Sequence, residues 1–119
     1  MAERSFAAEV QSLHKSSGEV FEGEGILAVI KGLLQSGVGY IGGYQGSPIS
    51  HAIDVLKDAE VILDELGVYV EFSGNEACAA AMLGASINYP VRGATLFKST
   101  VGTNVASDAL SNLASAGVT

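Results

Sequence analysis

Basic residues are scarce in this sequence: Lys and Arg number 6 against 13 Asp and Glu, for a formal charge of −7. Such a chain repels a phosphate backbone and has no basic stripe to neutralise one, so nucleic acid is not an expected partner. Cysteine occurs once, as Cys78. A single thiol builds no internal disulfide framework and cannot by itself hold an iron-sulfur cluster, which needs about four thiolates. Its place in an apolar helical stretch predicts a reduced, buried thiol in a cytoplasmic protein. No run approaches the roughly 18 apolar residues of a membrane helix. Met1-Ala2-Glu3-Arg4 opens a polar segment without an apolar signal region, so neither export nor membrane attachment is expected. The two histidines, His14 and His51, lack the companions that a metal site needs, and there is no Gly-Lys-Ser or Gly-Lys-Thr phosphate loop.

What is present is apolar residue in quantity: 48% of 119 residues, enough for one domain with a core. Residues 1–18 are polar, end in Ser16-Ser17-Gly18 and read as a leader with a short helical stretch near Phe6 to Leu13; residues 19–119 read as the folded part. From Glu24 the positions Ile26, Leu27, Val29, Ile30, Leu33 and Leu34 recur at helical spacing. Gly23-Glu24-Gly25 loosens the start of that helix rather than forming a dinucleotide fingerprint, since no clear strand precedes it. Val38 to Tyr44 is a glycine-rich strand. Gly46-Ser47-Pro48 then turns the chain into a helix running from Ile49 to about Gly67, with a break near Lys57 to Ala59. Val68 to Phe72 is a second strand, Asn75 to Asn88 a helix, Gly93 to Phe97 a third strand, and Asn104 to Ala116 a last helix. Strand alternating with helix predicts an α/β fold, a parallel sheet flanked by helices. Gly117 suits the C-cap of the last helix, and Val118-Thr119 reads as the first residues of a further strand, so the sequence is expected to be the N-terminal piece of a longer polypeptide.

In a parallel sheet the loops after the three strands share one edge, where open α/β sheets bind ligands. They bring Ser47, Glu76, Lys98 and Thr100 to one pocket. Each has a structural explanation beside the functional one. Ser47 can cap the helix that Pro48 begins, and a lone lysine such as Lys98 commonly just solvates a loop. Ser73-Gly74-Asn75-Glu76 matches a capping box, with Ser73 as N-cap and Glu76 reaching back to its amide. Against that stands the apolar stretch Ala77-Cys78-Ala79-Ala80-Ala81-Met82-Leu83, which would hold the Glu76 carboxyl in a pocket with little water. Burial and the helix N-terminus act on such a group in opposite senses, and a carboxyl balanced this way suits acid-base chemistry at neutral pH.

Three ordered motifs extend this reading: Gly43-Tyr44-Gln45-Gly46-Ser47-Pro48-Ile49-Ser50, then Glu71-Phe72-Ser73-Gly74-Asn75-Glu76, then Lys98 with Val101-Gly102-Thr103-Asn104-Val105-Ala106-Ser107-Asp108. Together they resemble the pyrimidine-binding domain of thiamine-diphosphate 2-oxoacid:ferredoxin oxidoreductases, with the nearest likeness to the indolepyruvate:ferredoxin oxidoreductase alpha subunit. The resemblance covers roughly residues 20–119. It implies the thiamine-diphosphate-binding fold, thiamine diphosphate as cofactor, and Glu76 hydrogen-bonded to the ring nitrogen N1′ of its aminopyrimidine. It further implies Ser47 near the substrate, with Gly46, Ser47, Pro48, Lys98 and Asn104 beside Glu76 in the cofactor site. Gln45 stands where proline is common in the family, and the Lys98 loop is one residue longer. Magnesium, the diphosphate site and the iron-sulfur clusters are expected outside these residues. So are the partners, namely ferredoxin and the remaining domains or a second subunit of a dimer, and the piece alone is expected to be inactive. Two other classes fit the same residues: a nonoxidative thiamine-diphosphate 2-oxoacid decarboxylase half-site, and a non-catalytic α/β interaction module in which Glu76 is only a helix cap.

Overall fold

A computed structural model describes residues 5–14, 18 and 20–116. Three strands, β1 (Val38–Gly43), β2 (Tyr69–Phe72) and β3 (Arg92–Leu96), form one parallel sheet in the order β2-β1-β3. Six helices surround it: α1 (Gly25–Gln35) precedes β1, α2 (Ser50–Asp58) and α3 (Glu60–Leu66) join β1 to β2, α4 (Glu76–Ala85) joins β2 to β3, and α5 (Val101–Val105) and α6 (Ser107–Ala116) follow. The α/β fold with a parallel sheet flanked by helices is therefore as the alternation of elements predicted.

Each helix break has a local cause. α2 and α3 part at Ala59, within the expected interval, and α3 stops at Gly67, whose φ of 71° is a conformation that costs glycine little. The last helix starts earlier than its pattern predicted, at Val101, and is interrupted at Ala106, which is fully buried. The expected C-cap Gly117 and the residues Val118-Thr119 lie outside the described residues.

The larger core lies between the sheet and α1, α2 and α3. Ile41 of β1 meets Leu27, Ile30, Val55, Leu56, Ile62 and Leu63 there, with Val70, Ala94 and Leu96 packed against the cluster. Val38 joins the same cluster although it is three residues from Ile41. Strict alternation would put the two on opposite faces. An irregularity between Val38 and Tyr40 in the pairing with β3 resets the alternation at Gly39. Phe6, Val10 and Leu13, from the segment read as a polar leader, complete this core at 1%, 1% and 3% exposure. The segment is anchored by polar bonds as well. The Phe6 amide donates to Asp58 Oδ2 at 2.6 Å, and the buried Lys31 ammonium donates to the Leu13 carbonyl at 2.6 Å.

The opposite face is covered by α4, which packs on β1, β3 and α6. Small residues let it approach: Ala79 and Ala80 are buried, a Cβ built on Gly93 would lie 2.9 Å from Leu83 Cδ1, and Gly84 faces Leu113. Cys78, expected to be buried, is exposed. α4 is apolar on every side, so its sequence names no buried face; the sheet takes the side carrying Glu76, Ala79 and Ala80 and leaves Cys78 outward. No helix among the described residues is long and apolar enough to cross a membrane.

Candidate functional site at the carboxyl edge of the sheet

The helices after β1 lie on one face of the sheet and those after β3 on the other, so the loops leaving these neighbouring strands diverge. Such divergence marks a switch point, where open α/β sheets have the crevice that takes ligands. Backbone bonds fix its floor. The Tyr44 amide donates to the Leu96 carbonyl at 3.0 Å and the Ser73 amide to the Gly43 carbonyl at 2.9 Å. A Cβ on Gly43 would overlap the Leu96 backbone carbonyl, so glycine is required where β1 and β3 end side by side.

Glu76 is the first residue of α4 and is 6% exposed. The capping box expected from Ser73 and Glu76 is not formed. Asn75 is the N-cap, with extended backbone (φ −164°, ψ 176°), and its Oδ1 accepts from the Cys78 amide at 2.8 Å. Ser73 is still bonded to the end of β1 and stands too far back to cap, which moves Glu76 from the third helical position to the first. Freed from capping, the Glu76 carboxylate makes no hydrogen bond or ion pair among the described residues. Its oxygens are not among the described polar atoms sealed from solvent without a partner, so the carboxylate keeps a narrow access to water or a ligand.

The third loop closes over Glu76. Gly102 is buried in α5, and a Cβ built on it would lie 2.6 Å from Phe97 Cδ2 and 3.4 Å from Glu76 Cγ. Gly102 thus admits both the Phe97 ring and the Glu76 stem, and neither residue was singled out as its neighbour from the sequence. The first loop is clamped by Ser50, whose Oγ accepts from the Gly46 amide at 2.9 Å while its own amide donates to the Gly46 carbonyl at 3.0 Å. Ser47 is exposed and does not cap α2, which begins at Ser50 behind Ile49 with no side-chain cap; Pro48 lies in the preceding turn, after a cis peptide bond. The first and third loops touch: a Cβ on Gly46 would lie 2.7 Å from Lys98 Cβ. Gly46, Ser47 and Lys98 therefore meet on one side of the crevice, with Glu76, Phe97 and Gly102 beside them. Asn104 sits exposed on the last turn of α5 and its side chain makes no hydrogen bond among the described residues.

Two further hydroxyls, Tyr40 Oη and Thr95 Oγ1, are buried without a partner among the described residues on the α4 side of the sheet, flanking Gly42, which pairs with Thr95. Burial, and then the nearby Glu71 carboxylate, raise the Tyr40 phenol above its ordinary value. A separate apolar cavity of about 430 Å³, lined by Tyr40, Tyr69, Met82, Tyr89 and Val91 among others, lies toward the amino ends of the strands and carries no charged side chain. The chemistry-bearing residues meet at the other end. Among the described residues no group of His, Cys, Asp and Glu could hold a metal ion.

Fold and site together define an open parallel α/β domain with a largely buried carboxylate, unpartnered among the described residues, on the first turn of the helix beside its switch point. The chain is 38% identical over 91 residues to indolepyruvate oxidoreductase subunit IorA of Methanothermobacter marburgensis and, equally, to that of Methanothermobacter thermautotrophicus; it is 34% identical over 92 residues to that of Archaeoglobus fulgidus. Each match takes in 76% of the chain, and the chain spans 14% of the length of each of these relatives. No protein-family model matches the chain, and no solved structure does.

Proposed function

We propose that this chain is pyrimidine-binding-domain sequence from a thiamine-diphosphate-dependent 2-oxoacid:ferredoxin oxidoreductase acting on an arylpyruvate such as indolepyruvate. The observation that carries the reading is Glu76: a residue 6% exposed whose carboxylate has no partner among the described residues, at the strand edge where such sheets bind ligands. An aminopyrimidine ring fits it, because a ring nitrogen that can carry a proton supplies the hydrogen bond that the protein withholds. The similarity to indolepyruvate oxidoreductase subunits points to the same class.

In this reading Glu76 accepts the hydrogen bond from N1′ and holds the proton there, the α4 backbone orients the carboxylate, and Gly102, with Phe97 against it, walls the Glu76 stem. The bound cofactor supplies the electron sink that lets a 2-oxoacid lose carbon dioxide. Gly46, Ser47, Pro48, Lys98 and Asn104 border the ring, and Ser47 presents a hydroxyl to the substrate. Magnesium, the diphosphate site, the clusters that carry electrons to ferredoxin and a dimer partner belong to the rest of the assembly. The strongly acidic balance of the chain suits a domain that meets only the ring end of the cofactor.

Calorimetric titration of thiamine diphosphate with magnesium into the holoenzyme's apoprotein, wild type beside Glu76→Ala, tests this. Binding by the wild type, with 2-oxoacid turnover lost in the variant, is expected. No binding by folded wild type would return the chain to the non-catalytic module. Turnover of 2-oxoacid without reduction of ferredoxin would favour the nonoxidative decarboxylase.

A further inference from the structure

Within the thiamine-diphosphate reading, on which this step rests, we infer that Lys98 is the counter-ion for the substrate's carboxylate. Among the described residues Lys98 is the one cation in the three loops at the carboxyl edge. Lys31 is buried in α1 on the Leu13 carbonyl, Lys57 stands in the last turn of α2, and Arg92 opens β3 and donates to the Ser36 carbonyl at 2.7 Å. The Lys98 side chain is exposed, and no hydrogen bond or ion pair engages it among the described residues.

Its backbone is held firmly. The Lys98 carbonyl accepts from the Gly102 amide at 2.9 Å, and the Val101 amide donates to the Ser99 carbonyl at 2.9 Å, closing a three-residue turn on Thr100. Thr100 has φ 65° and ψ −74°, a region that side-chain-bearing residues rarely adopt and that clusters at functional sites. The Lys98 stem is seated on Gly46, next in sequence to the exposed Ser47, whose hydroxyl also has no partner among the described residues. A positioned ammonium beside a free hydroxyl fits a carboxylate through an ion pair and a hydrogen bond.

The rest follows from the ligands. The aminopyrimidine ring carries no negative charge for a lysine to meet, and the diphosphate is held elsewhere in this reading. The substrate is the anion that enters the crevice, and a chain with a formal charge of −7 would otherwise repel it. Because the ion pair is made to bound substrate and weakens rather than strengthens as the carboxylate leaves, its loss raises KM and does not lower kcat.

The test uses the holoenzyme with Lys98→Met, which keeps length without charge, and Lys98→Arg. Thiamine diphosphate binding is measured first by calorimetry. Next come KM, kcat and the inhibition constants of the non-reacting 2-hydroxy acid analogue of the arylpyruvate and of its uncharged amide. Lys98→Met should raise KM and the hydroxy acid's inhibition constant about tenfold without lowering kcat, leave the amide within about twofold, and keep cofactor affinity; Lys98→Arg should restore most of the loss. Unchanged hydroxy acid affinity in Lys98→Met with normal cofactor binding would overturn the inference alone. Loss of cofactor binding in Lys98→Met, with the wild type binding, would overturn it by assigning Lys98 to the cofactor. Failure of the wild type to bind cofactor would remove the underlying reading as well.

Discussion

Replacing Glu76 by glutamine should make the cofactor-free chain more stable. The side chain is 6% exposed and its carboxylate has no protein partner among the described residues. A buried polar group left unsatisfied costs about 1–3 kcal/mol, more when charged. Its place on the first turn of α4 returns part of that through the helix dipole, roughly 0.3–1 kcal/mol. Glutamine removes the charge together with the dipole gain but keeps an unpaired polar group, so its gain should stay below about 1 kcal/mol, whereas Glu76→Met, which removes the polar atoms too, should gain about 1–2 kcal/mol. Urea unfolding followed by circular dichroism measures it. With a slope of about 2 kcal/mol per molar, the middle of the range for small proteins, the Glu76→Met midpoint should rise by about 0.5–1 M at unchanged slope. The order reverses in the holoenzyme, where saturating cofactor at about 100 times its dissociation constant adds about 2.7 kcal/mol to a protein that binds it. A glutamine variant destabilised by more than about 1 kcal/mol at equal slope would show that the carboxylate has a structural partner after all, and the case for a ligand at Glu76 would fall with it.

Other perturbations probe the frame. In Gly43→Ala the new methyl meets the Leu96 carbonyl, backbone that cannot yield without breaking the β1–β3 pairing, so a loss of about 2 kcal/mol or more is expected in thermal unfolding; a wild-type midpoint would contradict the packing. Lys31→Met removes the ammonium that holds the Leu13 carbonyl, and hydrogen exchange should then lose protection first in residues 6–14; protection loss spread evenly over the chain would argue against a local anchor. Tyr40 is raised above the ordinary phenol by burial and by Glu71, and Tyr69 is raised by its hydrogen bond to Glu71. A phenol whose proton is held more tightly when folded lends stability that is complete below the ordinary value near 10 and disappears as the pH climbs through the folded value. Alkaline titration at 295 nm should show a late component from both phenols that Tyr40→Phe reduces, with stability falling from about pH 10 upward. A single titration step unaffected by the substitution would refute it.

The order of elements was legible because its signals are local: apolar periodicity in α1, a glycine at the end of α3, strands bounded by small residues. The misreadings came where a local pattern had two solutions that only the sheet could separate. Ser73-Gly74-Asn75-Glu76 can be capped from Ser73 or from Asn75. The choice falls to Asn75 because the Ser73 amide is committed to the Gly43 carbonyl, a bond between strands far apart in sequence. Cys78 could not be placed because an all-apolar helix has no preferred side until it meets a sheet. Phe6, Val10 and Leu13 carried helical spacing all along, masked by the polar residues among them, and their burial depends on α1 and α2 offering a surface.

The candidate site was legible for a different reason, and only to the depth of its topology. Alternation of strand and helix forces parallel strands, parallel strands put every following loop on one edge, and a central β1 makes the loops after β1 and β3 part company there. Ser47, Glu76 and Lys98 were assembled by that reasoning before any side chain was placed. What topology could not supply is which of them the fold leaves uncommitted. That depends on Asn75 taking the cap from Glu76, Ser50 taking the clamp from Ser47, and the Thr100 turn fixing Lys98 over Gly46. In each case a neighbouring residue does the structural work, and the candidate residue is left uncommitted among the described residues.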